Sequence, residues 1–306
     1  MRIVIALGGN ALLRRGEPQT SERQAKNVRL AAEALSPIVS GDHEVVITHG
    51  NGPQVGLLSL QGEAYSGGSA FPLDVLGAET EGMIGYLLER ALQNACGHDL
   101  EVATLLTQVV VDARDRAFLN PTKPVGPVYS ETEARAMAAT RGWAVARDGR
   151  SWRRVVPSPA PKRILELSVI RRLVASGVTV ICAGGGGIPV VTKPSGTLVG
   201  VEAVIDKDRA SALLADALDA DALLLLTDVD AVYRDWNTAS ASAIRHLTPD
   251  CRDEIALPAG SMGPKVEAAC QFVKGDSRFA AIGALADAVR LLNGKCGTRI
   301  TAKASV

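Results

Sequence analysis

Val178-Thr179-Val180-Ile181-Cys182-Ala183 runs straight into Gly184-Gly185-Gly186-Gly187. A short apolar run rich in β-branched residues and bounded by glycine is the pattern of a parallel strand covered on both faces. The same pattern occurs twice upstream: Ile3-Val4-Ile5-Ala6-Leu7 ends in Gly8-Gly9-Asn10, and Val45-Val46-Ile47-Thr48 ends in His49-Gly50-Asn51-Gly52. In open α/β sheets ligands bind beyond the carboxyl ends of the strands, and glycine there lets a ligand approach the backbone closely. Three exits of this kind imply an anion site built from backbone N–H groups, and so an enzyme that handles phosphate.

Outward from these strands, strand and helix patterns alternate to the end of the chain, the signature of a mostly parallel sheet with helices on both faces. Ser21 and Gln24 have capping-box spacing, and the helix behind them carries Val28, Ala31, Leu35 and Ile38 on a helical period. Pro53 fits the first position of a second helix. Asp74 is expected to cap a long helix reaching about Asn94, and 102–111 reads as one long strand. Helices follow near 163–176, 208–218 and 285–292 and from Pro264, with strands at 222–226 and 279–282. Residues 113–161 break this rhythm with Pro121, Pro124, Pro127, Pro157, Pro159 and Pro161, and read as an excursion, a small lobe or lid.

The 306 residues are 47% hydrophobic, enough for one large α/β domain or two lobes. Lys plus Arg and Asp plus Glu number 33 each, and this balance argues against a general nucleic-acid binder. Anion binding must then be local. Five scattered cysteines (Cys96, Cys182, Cys251, Cys270, Cys296) read as reduced thiols of a cytosolic protein, and four dispersed histidines argue against structural zinc. The first strand starts at once, which leaves no room for a signal peptide, and no apolar stretch nears the ~20 residues of a spanning helix. The expectation is a soluble cytoplasmic protein.

Two lysines sit against their local electrostatics. Lys265 follows Pro264 in the first turn of its helix, and Lys207 precedes Asp208, a good N-cap. A cation there costs up to ~1 kcal/mol unless an anion lies beside it, and a phosphate would convert the cost into attraction. One such site alone reads as a solvated surface lysine, but two, with the glycine exits, favour the anion. Of Asp206 and Asp208, one caps the helix and the other orients the lysine or faces a nucleotide-bound Mg²⁺, with capping alone open for either. Lys123, stiffened by Pro121 and Pro124, suits a substrate clamp or a plain surface turn. Thr227-Asp228-Val229-Asp230 with Tyr233 closes a strand, where acids bind ribose hydroxyls or, by default, shape a turn. His49 fits a packing or turn role at least as well as a functional one. The chain has no G-x-x-x-x-G-K-[ST], no G-x-G-x-x-G after the first strand, and no H-E-x-x-H or G-x-S-x-G, so P-loop, dinucleotide, zincin and α/β-hydrolase readings lose their main signals.

An ordered series of motifs carries a resemblance. It runs through Ala6-Leu7-Gly8-Gly9-Asn10-Ala11, His49-Gly50-Asn51-Gly52-Pro53-Gln54, Asn120-Pro121-Thr122-Lys123-Pro124, Gly184-Gly185-Gly186-Gly187-Ile188-Pro189, Ala203-Val204-Ile205-Asp206-Lys207-Asp208 and Gly260-Ser261-Met262-Gly263-Pro264-Lys265. From Ile3 to about Thr298 the sequence resembles the carbamate kinases of the amino acid kinase superfamily. The resemblance implies an open αβα sandwich with a mainly parallel sheet, a small protruding subdomain and a homodimer. It also implies the reversible reaction ATP + carbamate ⇌ ADP + carbamoyl phosphate, with Mg²⁺, run toward ATP synthesis. A single domain over 1–306 is expected, with an acceptor lobe (1–195) carrying the 113–161 lid and a nucleotide lobe (196–306). Gly8, Gly9, Asn10, Gly50, Asn51 and Gly52 would surround carbamate and the moving phosphoryl group. Lys123, Lys207 and Lys265 would be the catalytic cations, organised by Asp208. Gly185, Gly186, Asp206, Thr227, Asp228, Val229, Tyr233, Met262 and Pro264 would line the nucleotide side. Another superfamily kinase, a non-catalytic nucleotide sensor and a Rossmann oxidoreductase are the competing readings.

Overall fold

The computed structural model describes residues 1–12, 17, 20–66, 71–250, 262–274 and 277–303. In chain order the helices are α1 (Gly9–Leu12), α2 (Ser21–Val39), α3 (Gly52–Ser66), α4 (Leu73–Cys96), α5 (Glu131–Arg141), α6 (Leu167–Ala175), α7 (Lys207–Ala217), α8 (Met262–Phe272) and α9 (Ala288–Leu292). The central sheet has eight strands in the order His246–Leu247, Thr298–Thr301, Phe279–Ala284, Ala222–Thr227, Arg2–Leu7, Glu44–His49, Thr179–Ile181, Val102–Thr104. From Phe279–Ala284 to Val102–Thr104 every pairing is parallel. Only the Thr298–Thr301 and His246–Leu247 edge runs the other way.

Side chains alternate across a strand, so each interior strand feeds two cores. Ile3, Ile5 and Leu7 pack with Leu35 of α2, Leu88 of α4 and Leu291 of α9. Val4 and Ala6 pack with Ile170 of α6, Leu214 of α7 and Val266 of α8. This is the three-layer αβα sandwich expected, and burial on both faces is why these strands read as unbroken apolar runs.

Several boundaries differ from the sequence reading. The α2 N-cap is Thr20, whose Oγ1 accepts from the Arg23 N–H at 3.3 Å, one residue before the expected Ser21. Pro72, not Asp74, occupies the N-cap of α4, and Asp74 sits in the first turn, where its charge suits the dipole. The first part of 163–176 is strand: Pro161–Ile164 pairs with Gln108–Val111 and α6 starts at Leu167. The stretch 102–111 is two strands in two sheets, Val102–Thr104 and Gln108–Val111. It breaks because two carboxylates, the buried Glu81 and the half-buried Glu166, take the backbone N–H groups of Thr107 and Gln108, each at 2.8 Å.

Within the 113–161 excursion, Lys123–Tyr129, Ser151–Val156 and Val145–Asp148 form a separate three-stranded sheet with α5 beside it. It rests on α3 through two glycines: a Cβ on Gly56 would lie 1.9 Å from the Gly126 Cα. Around that approach Val125 and Val156 pack with Val55 and Leu76, Arg154 donates to Ser59 Oγ at 3.0 Å, and Arg141 pairs with Glu63. Gly56→Ala should therefore cost about 1–3 kcal/mol in urea denaturation, because backbone cannot yield as a side chain can. Gly77→Ala on α4, where a Cβ meets nothing within 4 Å, should be neutral or slightly stabilising. Equal stability of the two variants would contradict the close approach of the small sheet to α3.

Candidate active site

The carboxyl ends of the four innermost parallel strands lie side by side. The Gly8 N–H donates to Leu226 O at 2.9 Å, and the Gly50 N–H to Leu7 O at 3.0 Å, so each turn is stitched to its neighbour. A Cβ on Gly8 would come 2.9 Å from Leu226 O, and one on Gly50 2.8 Å from the Gly9 nitrogen. These two glycines are required by packing. Gly9 and Gly52 differ: they open α1 and α3, and their Cβ positions meet nothing nearer than 3.9 and 3.8 Å. They leave free space beside the turns. Asn51 is buried and its Nδ2 donates to Thr80 Oγ1 at 2.8 Å. Asn10 belongs to α1, but its side chain lies outside the described residues.

The glycine quartet is packed tightly against its neighbours. Ala183 (φ 49°), Gly185 (66°), Gly186 (99°) and Gly187 (87°) are all left-handed, a conformation glycine adopts without penalty. Gly185 and Gly186 are buried. A Cβ on Gly185 would sit 2.0 Å from Asn51 Nδ2, and one on Gly186 2.5 Å from Ile205 O. They seat Asn51 and the approach to α7. His49 packs on Gly184. Burial chiefly lowers its pKa to about 4, with a further push from the Lys207 charge, so it is a neutral packing residue at physiological pH.

The lysines converge. Asp206, not Asp208, is the N-cap of α7, its Oδ1 accepting from the N–H groups of Asp208 and Arg209 at 3.0 and 3.2 Å. Its Oδ2 accepts from Lys123 Nζ at 2.5 Å, which brings the small sheet's lysine to the start of α7. Asp208 accepts from Lys207 at 2.7 Å and from Lys265 at 3.1 Å, with all three side chains buried. Burial alone would raise the Asp208 pKa, but the two ammonium groups hold it well below the usual carboxylate range. Burial likewise opposes the charge of Lys265, and Asp208 more than offsets it, so Lys265 stays firmly protonated. Lys207 is pulled downward by burial and by Lys265 against the opposing pull of Asp208. The anion beside these helix-start lysines is thus a protein carboxylate, and the three lysines outnumber the two aspartates.

On the other flank, Thr227 ends its strand and donates to Asp228 Oδ1 at 3.0 Å. Asp228 acts electrostatically on Lys265. Val229 is half-buried, and the Tyr233 hydroxyl donates to Asp230 at 2.9 Å while its ring lies 5.1 Å from that of Trp236. Met262 and Pro264 form the first turn of α8; Gly260 and Ser261 lie outside the described residues, as does Cys251. Among the described residues no three His, Cys, Asp or Glu side chains gather as a metal cage, and no helix is long and apolar enough to cross a membrane.

Thr80, Glu81 and Thr107 escaped the sequence reading. The first two interrupt the buried stripe of α4, Leu76, Thr80, Glu81, Ile84, Leu88. Polar residues in an apolar helical stripe were the signal available, because burial of such groups demands a partner.

A sequence profile described as the amino acid kinase family matches residues 1–282. The carbamate kinase of Rhizobium meliloti (strain 1021) is 55% identical, the alignment covering 100% of this chain and 94% of that protein. The chain belongs to the amino acid kinase family, in its carbamate kinase branch. Carbamate kinase from Giardia lamblia bound to citric acid superposes with a TM-score of 0.92 at 44% identity over 98% of each chain. The same enzyme bound to AMP-PNP gives 0.87 at 44% identity, again over 98% of each chain.

In this amino acid kinase, Gly50→Ala should destabilise by about 1–3 kcal/mol. Gly9→Ala should fold within about 0.5 kcal/mol of wild type yet bind carbamoyl phosphate poorly. Denaturation tests the first and calorimetric titration the second. Undiminished affinity in a folded Gly9→Ala would remove the α1 turn from the anion site.

Proposed function

We propose that the chain transfers a phosphoryl group between ATP and carbamate, giving ADP and carbamoyl phosphate. The observation that carries this reading is the Lys207–Asp208–Lys265 cluster beside open glycine turns, in a chain 55% identical to a carbamate kinase. Phosphoryl transfer asks a protein for positioning and charge stabilisation more than for covalent chemistry. A carbamate oxygen attacks the γ-phosphorus, the bond to the bridging oxygen breaks, and its electron pair leaves on ADP. Carbamate is already an anion, so no general base is needed. His49 is neutral and buried, and burial raises the Cys182 thiol far above neutrality, so neither supplies a nucleophile.

Each ammonium has three N–H donors. Lys207 and Lys265 each use one on Asp208 and keep the others for the equatorial oxygens that gain charge in the transition state. The N–H groups of Gly9, Asn10, Asn51 and Gly52 would hold the acceptor end, with Lys123 steered by Asp206. Thr227, Asp228, Val229, Tyr233, Met262 and Pro264 would line the nucleotide. Mg²⁺ suits this donor set as a partner of the nucleotide phosphates, because it keeps waters and phosphate oxygens in preference to an all-protein cage.

Carbamoyl phosphate is a mixed anhydride, so we read the cellular direction as ATP synthesis in a breakdown route such as that of arginine, in the cytoplasm. Residues 1–195 would act as the acceptor lobe, 196–306 as the nucleotide lobe and 113–161 as a cover that carries Lys123. A homodimer is proposed on the likeness to the family, and Val75 and Tyr86, exposed on one face of α4, offer apolar surface for it.

Purified protein given ADP and carbamoyl phosphate should form ATP, detected by a coupled assay; none formed would overturn the reading. Lys207→Ala and Lys265→Ala should each lower kcat by about 10²-fold or more. Lys123→Ala should raise the KM for carbamoyl phosphate more than that for ADP. Wild-type turnover in a folded lysine variant would remove that lysine from the mechanism.

A further inference from the structure

The strand break at 105–107 is held by a buried acid that the proposed chemistry does not use. Glu81 is 2% exposed. Its Oε2 accepts from the Thr107 N–H at 2.8 Å, while its Oε1 is buried without a hydrogen-bond partner. Thr107, itself fully buried, accepts from the Ala183 N–H at 2.9 Å and donates to Leu105 O at 2.9 Å. Ala183 is the left-handed residue (φ 49°) that begins the glycine turn. Within that turn Gly184 faces the Glu81 side chain, and Gly185 faces the Asn51 amide. Asn51 is gripped from its other side by Thr80, the residue before Glu81 on α4. One turn of α4 therefore sets both walls of the slot in which Asn51 sits.

We propose that Glu81 is a positioning residue for the acceptor end of the site, acting on Asn51 through Thr107 and the 183–187 turn, a role that rests on the phosphoryl-transfer reading above. It touches no reacting atom. A small displacement of a positioned group can cost far more in function than in stability, because reaction depends steeply on geometry.

Its protonation follows from its surroundings. Burial pushes the Glu81 carboxyl well above the usual range; the Thr107 N–H opposes this and the Glu166 charge adds to it. The other titratable groups on this pocket are His49, kept neutral by burial with Lys207 behind it, and the Cys182 thiol, raised by burial and then by Glu81 and Glu166. Burial thus favours the uncharged form of Glu81, with Oε2 as the oxygen that accepts from Thr107. A carboxamide has the same shape, keeps the accepting oxygen and carries no charge, so glutamine should replace it. A raised pKa in the folded state also means that the stability contribution of Glu81 is lost as pH climbs toward that pKa.

The test uses Glu81→Ala, Glu81→Gln and Thr107→Val in the full chain, with ATP formation and thermal melting as readouts. Glu81→Ala should raise the KM for carbamoyl phosphate by about tenfold and leave that for ADP within about twofold. Glu81→Gln should keep both KM values and melt above wild type by a margin that widens as pH rises. If Glu81→Ala does not fold, Thr107→Val, which leaves Glu81 in place, should show the same acceptor-selective change. Equal changes in both KM values, no change in either, or a Glu81→Gln as defective as Glu81→Ala would each overturn the role. An inactive wild type would instead overturn the carbamate reading, so the two failures are distinct.

Discussion

Asp208 offers one oxygen to Lys207 at 2.7 Å and the other to Lys265 at 3.1 Å, and all three side chains are buried. Each ammonium alone would face a desolvation penalty of several kcal/mol and up to about 1 kcal/mol more from the positive end of its helix. One shared carboxylate makes both tolerable. It also ties the starts of α7 and α8 together, although Lys265 is 57 residues along the chain from Asp208. The strand order brings those helix starts to the carboxyl edge of the sheet, so the cation focus lies where the glycine turns leave room. Asp206 extends the arrangement by capping α7 and holding Lys123 from the small sheet.

Glycine does two jobs in this molecule. At Gly50, Gly56 and Gly184–Gly186 a Cβ would strike backbone or a buried side chain, and absence of a side chain lets neighbouring segments meet. At Gly9 and Gly52 a Cβ would meet almost nothing, and its absence leaves the space beside each turn open. The first group fixes the second. Gly185 seats Asn51, Gly50 stacks its turn on Gly9, and Gly56 brings the 123–156 sheet onto α3 beside them.

Much of this was legible in the sequence. Apolar runs ending in glycine marked the parallel strands, because a strand buried on both faces has no polar alternation to hide it. The two lysines placed against helix dipoles were also legible, since a sequence shows an electrostatic anomaly directly. What resolves the anomaly was not. Whether Asp206 or Asp208 caps α7 depends on Lys265 arriving from elsewhere, and the local sequence permits either. The break of 102–111 into two strands was hidden for the same reason: it is imposed by Glu81 and Glu166, from a helix before it and a turn well after it. The close packing and positive φ of Gly185 and Gly186 were not legible either, because they leave the same residue type in the sequence as an open loop.

The central physical claim is that Asp208 is the counter-charge for two ammonium groups that would otherwise repel. A double-mutant cycle on Asp208→Asn and Lys265→Met, read by urea denaturation, tests it most directly. Asp208→Asn alone should destabilise by about 3–5 kcal/mol, because it leaves two buried cations without their partner. Adding Lys265→Met should then recover part of that loss, since one of the two like charges has gone. A small loss in Asp208→Asn, or simple addition of the two losses in the double variant, would contradict the shared-carboxylate focus.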